Sequence, residues 1–186
     1  MATLATTNIK HAGSSSNNIV LNANGTATIS GHIIQVAQDV LDTPASFTSL
    51  ANDGTSFYDT GLSLGITPQA ASSKVLVLAT LYHASQAATN TARFNIVRGS
   101  TTIAQPASGS GGNDGTSINY LNVVSMITTP INFLDSPSYS LGDTLTYKIQ
   151  IGFDAPGSNT AHYMNRYHGA DQYRGISTLT LMEVAA

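Results

Sequence analysis

The segment His162-Tyr-Met-Asn-Arg-Tyr-His-Gly-Ala-Asp-Gln-Tyr-Arg174 gathers two of the five histidines, three of the eight tyrosines and two of the four arginines of a chain otherwise poor in such groups. Tyrosine and arginine combine large planar area with directed hydrogen bonds, which makes them frequent binding anchors. Tyr163, Arg166, Tyr167, His168, Tyr173 and Arg174 are therefore the candidate contact residues. Two uses stay open for them. Tyrosine faces stack on sugar rings, as binding to a cell-surface glycan requires, and the same enrichment is expected where two subunits meet. His162 and His168, with Asp171 nearby, have the donor types of a metal site. One domain supplies too few ligands of this kind, so the histidines are read as hydrogen-bonded and no metal or cofactor is expected.

Other candidate chemistry dissolves on inspection. Gly61-Leu-Ser-Leu-Gly65 matches the nucleophile pattern G-x-S-x-G, but a nucleophile elbow needs a following helix and here Ile66-Thr67-Pro68 follows. Its glycines read instead as a strand bend or bulge. Asp53-Gly54 and Asn113-Asp114-Gly115 lack the alternating oxygen ligands and closing glutamate of a calcium loop and read as turns. Asn24-Gly25-Thr26 is a formal glycosylation sequon placed where Asn-Gly has a turn to make. Glu183 is the only glutamate, so a pair of acid/base carboxylates would have to come from scattered aspartates. The chain is expected to be non-enzymatic.

Composition bounds the class. Of 186 residues 41% are hydrophobic and 9% charged, against about 25% charged in ordinary soluble domains. Thr, Ser, Asn and Gly take the place of the missing charge. A net charge of −3 without a basic stripe argues against nucleic-acid binding by phosphate neutralisation, and no nucleic acid is expected as a partner. The absence of cysteine excludes disulfides and leaves stability to packing and oligomerisation. The N-terminus has neither the basic start nor the apolar core of a signal peptide, and no apolar run is long enough to span a bilayer. No membrane insertion is expected, and the product is expected to be soluble in the cell that makes it.

Period-2 alternation runs along the chain. Strands are predicted at 31–40, 56–66, 73–84, 91–98, 117–128, 130–134, 143–153, 162–168 and 175–184, separated by clusters of Gly, Pro, Asn and Asp. Their number and spacing predict an all-β fold, a jelly-roll-like antiparallel β-sandwich over residues 31–186. Residues 1–30 are too poor in apolar groups to fold alone and read as an extended N-terminal assembly arm. Within it Ile19-Val-Leu21 and Thr26-Ala-Thr-Ile29 flank Asn22-Ala-Asn-Gly25 and predict a small hairpin. Ile9, Ile19, Leu21 and Ile29 are the arm's candidate anchors. Residues 106–117 form a Gly/Ser-rich surface loop.

The strand at 143–153 places Leu145, Tyr147, Ile149, Ile151 and Phe153 on one face and Thr144, Thr146, Lys148 and Gln150 on the other, so one side is wet. Residues 74–83 and 118–127 are apolar on both faces. A second cover for them comes either from another subunit, as in a jelly roll packed about a threefold axis, or from loops of the same chain.

The stretch Asn8-Ile-Lys-His-Ala-Gly-Ser-Ser-Ser-Asn-Asn-Ile-Val-Leu-Asn-Ala-Asn-Gly-Thr-Ala-Thr-Ile29 resembles the N-terminal segment of virion proteins of marine tailed bacteriophages, including cyanophages. The resemblance continues through Thr60-Gly-Leu-Ser-Leu-Gly-Ile-Thr-Pro68, Ser73-Lys-Val-Leu-Val-Leu78, Phe94-Asn-Ile-Val-Arg-Gly-Ser100 and Ser177-Thr-Leu-Thr-Leu-Met-Glu-Val184, and covers most of the chain. It implies a virion surface protein made in the host cytoplasm. The implied form is a homotrimeric tail-fibre or short-spike domain that docks on other virion proteins through its arm and contacts the host surface, possible ligands there including glycans. A capsid decoration or cement protein, or a head fibre, is the alternative within that family; a stand-alone carbohydrate-binding module is the alternative outside it. No active-site residues carry over.

Overall fold

The computed structural model describes residues 8–9, 12–13, 19–21, 23, 27–29, 31–48, 56–86, 90–107, 114–121, 125–154, 161–169 and 173–186. Fourteen strands are present among them: β1 Asn8–Ile9, β2 Ile19–Leu21, β3 Ala27–Thr28, β4 Ile33–Leu41, β5 Ala45–Phe47, β6 Phe57–Ile66, β7 Lys74–Ser85, β8 Asn90–Arg98, β9 Thr101–Ile103, β10 Ser117–Leu121, β11 Ile127–Asp135, β12 Leu145–Asp154, β13 His162–Met164 and β14 Ser177–Val184. The first three form a small antiparallel sheet of their own, in which β2 and β3 pair as the expected hairpin.

The remaining strands build a jelly-roll β-sandwich. One sheet runs β4-β14-β7-β11 and the facing sheet β6-β12-β8-β10, with β9 also on β8. The first long strand thus lies beside the last, and from β6 to β8 and again from β10 to β14 the chain crosses between sheets, the wrapping that defines a jelly roll. β13 and β5 extend the first sheet: β14 pairs with β7 over its first half, β13 over residues 83–85, and β11 holds the opposite edge.

Alternation explains the core. Val75, Val77, Ala79 and Leu81 of β7 and Leu179 and Leu181 of β14 point inward against Phe94, Ile96, Tyr147, Ile149, Ile151 and Phe153 of the other sheet. Each large apolar side chain buried in this way contributes about 1.5–3 kcal/mol. The wet side expected for β12 is present, with Thr146 exposed and Lys148 and Gln150 half-buried. Gly61 has φ +101° within β6, where residues 60–62 oppose only Ile149 of β12, since Ser63 pairs with Lys148 and Asp59 with Gln150. This is the bulge that its glycine implied.

Three expectations are corrected. The strand predicted over 117–128 is two strands: β10 ends at Leu121 and joins β8, whereas β11 starts at Ile127 and joins β7 in the other sheet. Alternation continues across such a break because both strands need it. Ile118 and Tyr120 are 49% and 66% exposed, so this stretch is not covered on both faces. β11 also runs through Pro130, which an edge strand tolerates because the missing N–H is not needed there. The strand predicted over 162–168 stops at Met164, because Asn165 takes a left-handed conformation, φ +59°.

At the lower pole, where β4, β7 and β12 begin and β14 ends, buried polar groups fix the loops. Glu183, fully buried, accepts hydrogen bonds from the backbone N–H groups of Gln69 and Ala70, each at 3.0 Å, and from Gln35 Nε2 at 2.7 Å. The single glutamate is thus a loop anchor. Asp135 Oδ2 accepts from Arg98 Nη1 at 2.5 Å and from the Tyr147 hydroxyl at 2.7 Å. The arm joins here too: Gly31 N donates to Ala185 O at 3.1 Å and Ala185 N to His32 O at 2.9 Å.

A candidate contact surface on the outer sheet face

The 165–176 excursion leaves β7's edge between β13 and β14 and is pinned at its neck. Asn165 is fully buried; its backbone N donates to Tyr82 O at 2.9 Å, its Nδ2 to Leu41 O at 2.6 Å, and its Oδ1 accepts from Ser177 Oγ at 2.6 Å. Ser177 Oγ in turn accepts from Tyr82 N at 2.9 Å. One asparagine and one serine therefore satisfy the backbone groups that a continuous neighbouring strand would have paired. Gly175 is required by space, since a Cβ there would lie 2.7 Å from the Tyr82 ring.

Beyond the neck the candidate contact residues form one cluster. The Arg166 guanidinium sits 4.9 Å from the Tyr163 ring centroid, a cation–π contact. Tyr167 packs edge-on against His168 at 4.5 Å and Tyr173 at 6.0 Å. Arg166 and Arg174 are bridge partners across the loop, and Tyr167 N donates to Tyr173 O at 3.0 Å. Tyr173 is 63% exposed and Arg174 is exposed, while Tyr163, Arg166, Tyr167 and His168 are half-buried. Asp171 lies outside the described residues.

His162 is separated from this cluster by the sheet itself. It points into the core, fully buried, and stacks on Phe153 with ring centroids 3.8 Å apart, whereas Tyr163 between its two inward neighbours faces outward. His162 and His168 therefore do not share the face that an extended 162–168 segment would have given them. No three His, Asp or Glu side chains are grouped for a metal among the described residues. Ser63 is exposed on β6, with its backbone N donating to Asp39 Oδ2 at 3.0 Å and no helix after it. Asp114 contributes its carbonyl to Arg93 Nη1 at 3.3 Å; Asp53, Gly54, Asn113, the Asn24-Gly25-Thr26 sequon and the middle of the 106–117 loop lie outside the described residues.

The cluster stands at the upper end of a larger surface. The outward side chains of the β4-β14-β7-β11 sheet are Ile33, Val36, Gln38 and Val40 from β4; Thr178, Thr180, Met182 and Val184 from β14; Lys74, Leu76, Leu78, Thr80 and Tyr82 from β7; and Thr128, Pro130, Asn132 and Leu134 from β11. Val36, Val40 and Leu134 are 58%, 48% and 45% exposed, and Leu76, Leu78, Tyr82 and Met182 are half-buried. Tyr163 pairs with Ala84 and so belongs to this same face. The double apolarity of β7 and the Tyr/Arg segment, separate in the sequence, belong to one surface. Val36, Val40, Met182 and Val184 were the missed part; their alternation in β4 and β14 is the signal that could have found them.

By contrast, β8 is buried on both faces within this chain: Arg93, Asn95 and Val97 are covered as fully as Phe94 and Ile96. The 103–116 segment contributes, with Gln105 Nε2 donating to Asn95 Oδ1 at 3.0 Å and Thr116 Oγ1 accepting from Ile96 N at 3.2 Å.

Of the arm anchors, Ile9, Leu21 and Ile29 are 44%, 39% and 44% exposed and Ile19 is half-buried. Leu21 pairs with Ala27 and Ile9 with Ile19, so three of the four sit on the small sheet.

Fold and surface together define a jelly-roll β-sandwich with a partly exposed apolar face on one sheet. Neither a protein-family model nor a curated protein sequence matches the chain. Among solved structures it is similar to the 2.6 Å structure of T=1 particles derived from infectious bursal virus, at 13% sequence identity and a TM-score of 0.45, over 96% of this chain and 41% of that one. The chain thus spans less than half the length of that structure's chain.

Proposed function

We propose that the protein is a non-enzymatic virion structural protein of a tailed bacteriophage, a trimeric surface appendage of the tail-fibre or short-spike kind. It docks on other virion proteins through residues 1–30 and directs its opposite pole to the host surface. The observation that carries this reading is the separation of the two ends of the sandwich. Gly31, where the arm meets the sandwich, lies beside Ala185 at one pole, while the strand ends Phe47, Phe57, Ser85, Asn90, Leu121, Ile127, Asp154 and His162 lie together at the other. A domain built this way holds one end on a support and presents the other. The sequence resemblance over most of the chain points the same way, and the jelly roll is a fold used for capsid and lectin domains alike.

The arm is the part that tests it. Deleting residues 1–30 should reduce incorporation into particles at least tenfold, while the β-sheet circular dichroism and thermal midpoint of residues 31–186 change little. Quantitative immunoblotting of purified particles reads the first and a thermal melt the second. Truncated protein incorporated at the full-length level would overturn the assignment of the arm.

A further inference from the structure

We propose that the outer face of the β4-β14-β7-β11 sheet is the surface by which copies of this chain pack about a threefold axis, an inference that rests on the trimeric reading above and names its interface. The face suits a second copy because its central positions carry no charge to repel one another. These positions, from Val36 to Leu134, are aliphatic, Met, Tyr, Thr, Gln, Asn or Pro, and the charged groups at its margins include Lys74 at the lower end and Asp42, Arg166 and Arg174 towards the upper end. A chain of net charge −3 that must meet itself needs such a surface, because like charges placed together at an interface are costly.

Dimensions select the threefold arrangement. Four strands spaced about 4.8 Å apart make a face roughly 19 Å wide, and seven residues of rise make it roughly 23 Å tall, about 440 Å² in projection. That is the size of patch that marks functional surfaces on monomers. Three such faces closing a triangular prism stand about 5 Å from its axis, half the roughly 10 Å separation of packed sheets. Leu76, Leu78, Val36 and Met182 then fill the prism without a central void. The Tyr163/Arg166/Tyr173 cluster lies at the rim, where aromatic and arginine side chains are enriched and water is near.

The test is the mass of the full chain by size-exclusion chromatography with light scattering at micromolar concentration. Wild type is expected at three chains of 19.3 kDa. The double variant Val36→Glu/Val40→Glu is expected as a monomer with unchanged circular dichroism, since both side chains are about half exposed in the isolated subunit. Gln38→Arg, which leaves the core untouched, should weaken association at least tenfold. Ile118→Glu, on the outer face of the other sheet and 49% exposed, should stay trimeric. Variants of Val36, Val40 and Gln38 that all remain trimeric would overturn this face while leaving the trimer standing. A wild-type monomer would overturn both, and a dimer dissociated by the same variants would overturn the threefold arrangement.

Discussion

Asp135→Ala should lower stability by about 3 kcal/mol and the thermal midpoint by roughly 6–12 °C at fixed protein concentration. Asp135 is 6% exposed and holds two partners with one oxygen, Arg98 Nη1 and the Tyr147 hydroxyl. Removing it leaves a largely buried guanidinium without its counter-charge and a fully buried hydroxyl without its acceptor. Burial works against the Arg98 charge, but the hydrogen bond and charge of Asp135 outweigh it and hold the Arg98 pKa above its ordinary value. Burial, reinforced by Asp135, pushes the Tyr147 hydroxyl up, so it stays a donor. The Arg98 side chain is 27% exposed and recovers some hydration, which puts the loss at the lower end of what breaking a buried ion pair costs. Asp135→Asn keeps an acceptor for Tyr147 and should recover about half. Differential scanning fluorimetry of the two variants checks this; equal midpoints for wild type and Asp135→Ala would remove the triad from the account.

Acid should destabilise the sandwich well before its carboxylates titrate. Burial pulls His83 down to about 4 from an ordinary 6.5, and burial together with the charge of His83 pulls His162 down to about 3. Neither His162 ring nitrogen has a hydrogen-bond partner among the described residues, whereas His83 Nε2 lies 2.8 Å from Thr129 Oγ1. Both rings pack on aromatics, His162 on Phe153 and His83 edge-on against Phe94 at 4.9 Å. Because the folded pKa values are depressed, the unfolded chain binds more protons once the pH falls below about 6.5. Stability is full above that pH and is lost as pH falls toward 4 and then 3, at about 1.4 kcal/mol per pH unit for each histidine. By pH 4.5 the two together remove about 5 kcal/mol. The urea midpoint measured from pH 7.5 to 4.5 should fall accordingly, and His162→Leu should remove about half of the slope. An unchanged slope in that variant would place the acid response elsewhere.

What the sequence made legible follows from period 2. Tyr147, Ile149, Ile151 and Phe153 alternate with polar residues and all face the core, so the sandwich and the wet side of β12 were readable. Gly61 announced its bulge. The gap between β10 and β11 was not readable, because both strands alternate and only the tertiary fold sends one to each sheet. Nor was the left-handed turn at Asn165, whose cause is a set of partners more than a hundred residues away at Leu41 and nearby at Ser177. The Tyr/Arg cluster was visible as composition, and five of its six residues meet in two groups of ring and cation contacts, Arg166 with Tyr163 and Tyr167 with His168 and Tyr173, joined by the hydrogen bond from Arg166 Nε to Tyr167 O. Its continuity with Val36 and Met182 was hidden, since it depends on which strands are neighbours.

Gold-labelled antibody against residues 31–186, imaged by electron microscopy on intact virus particles from the source that encodes the chain, tests the proposed virion role most directly. Label at the tail is the expected result; label over the head would move the protein to a decoration or head-fibre position. Absence of both the label and the protein from purified particles would contradict a virion structural role.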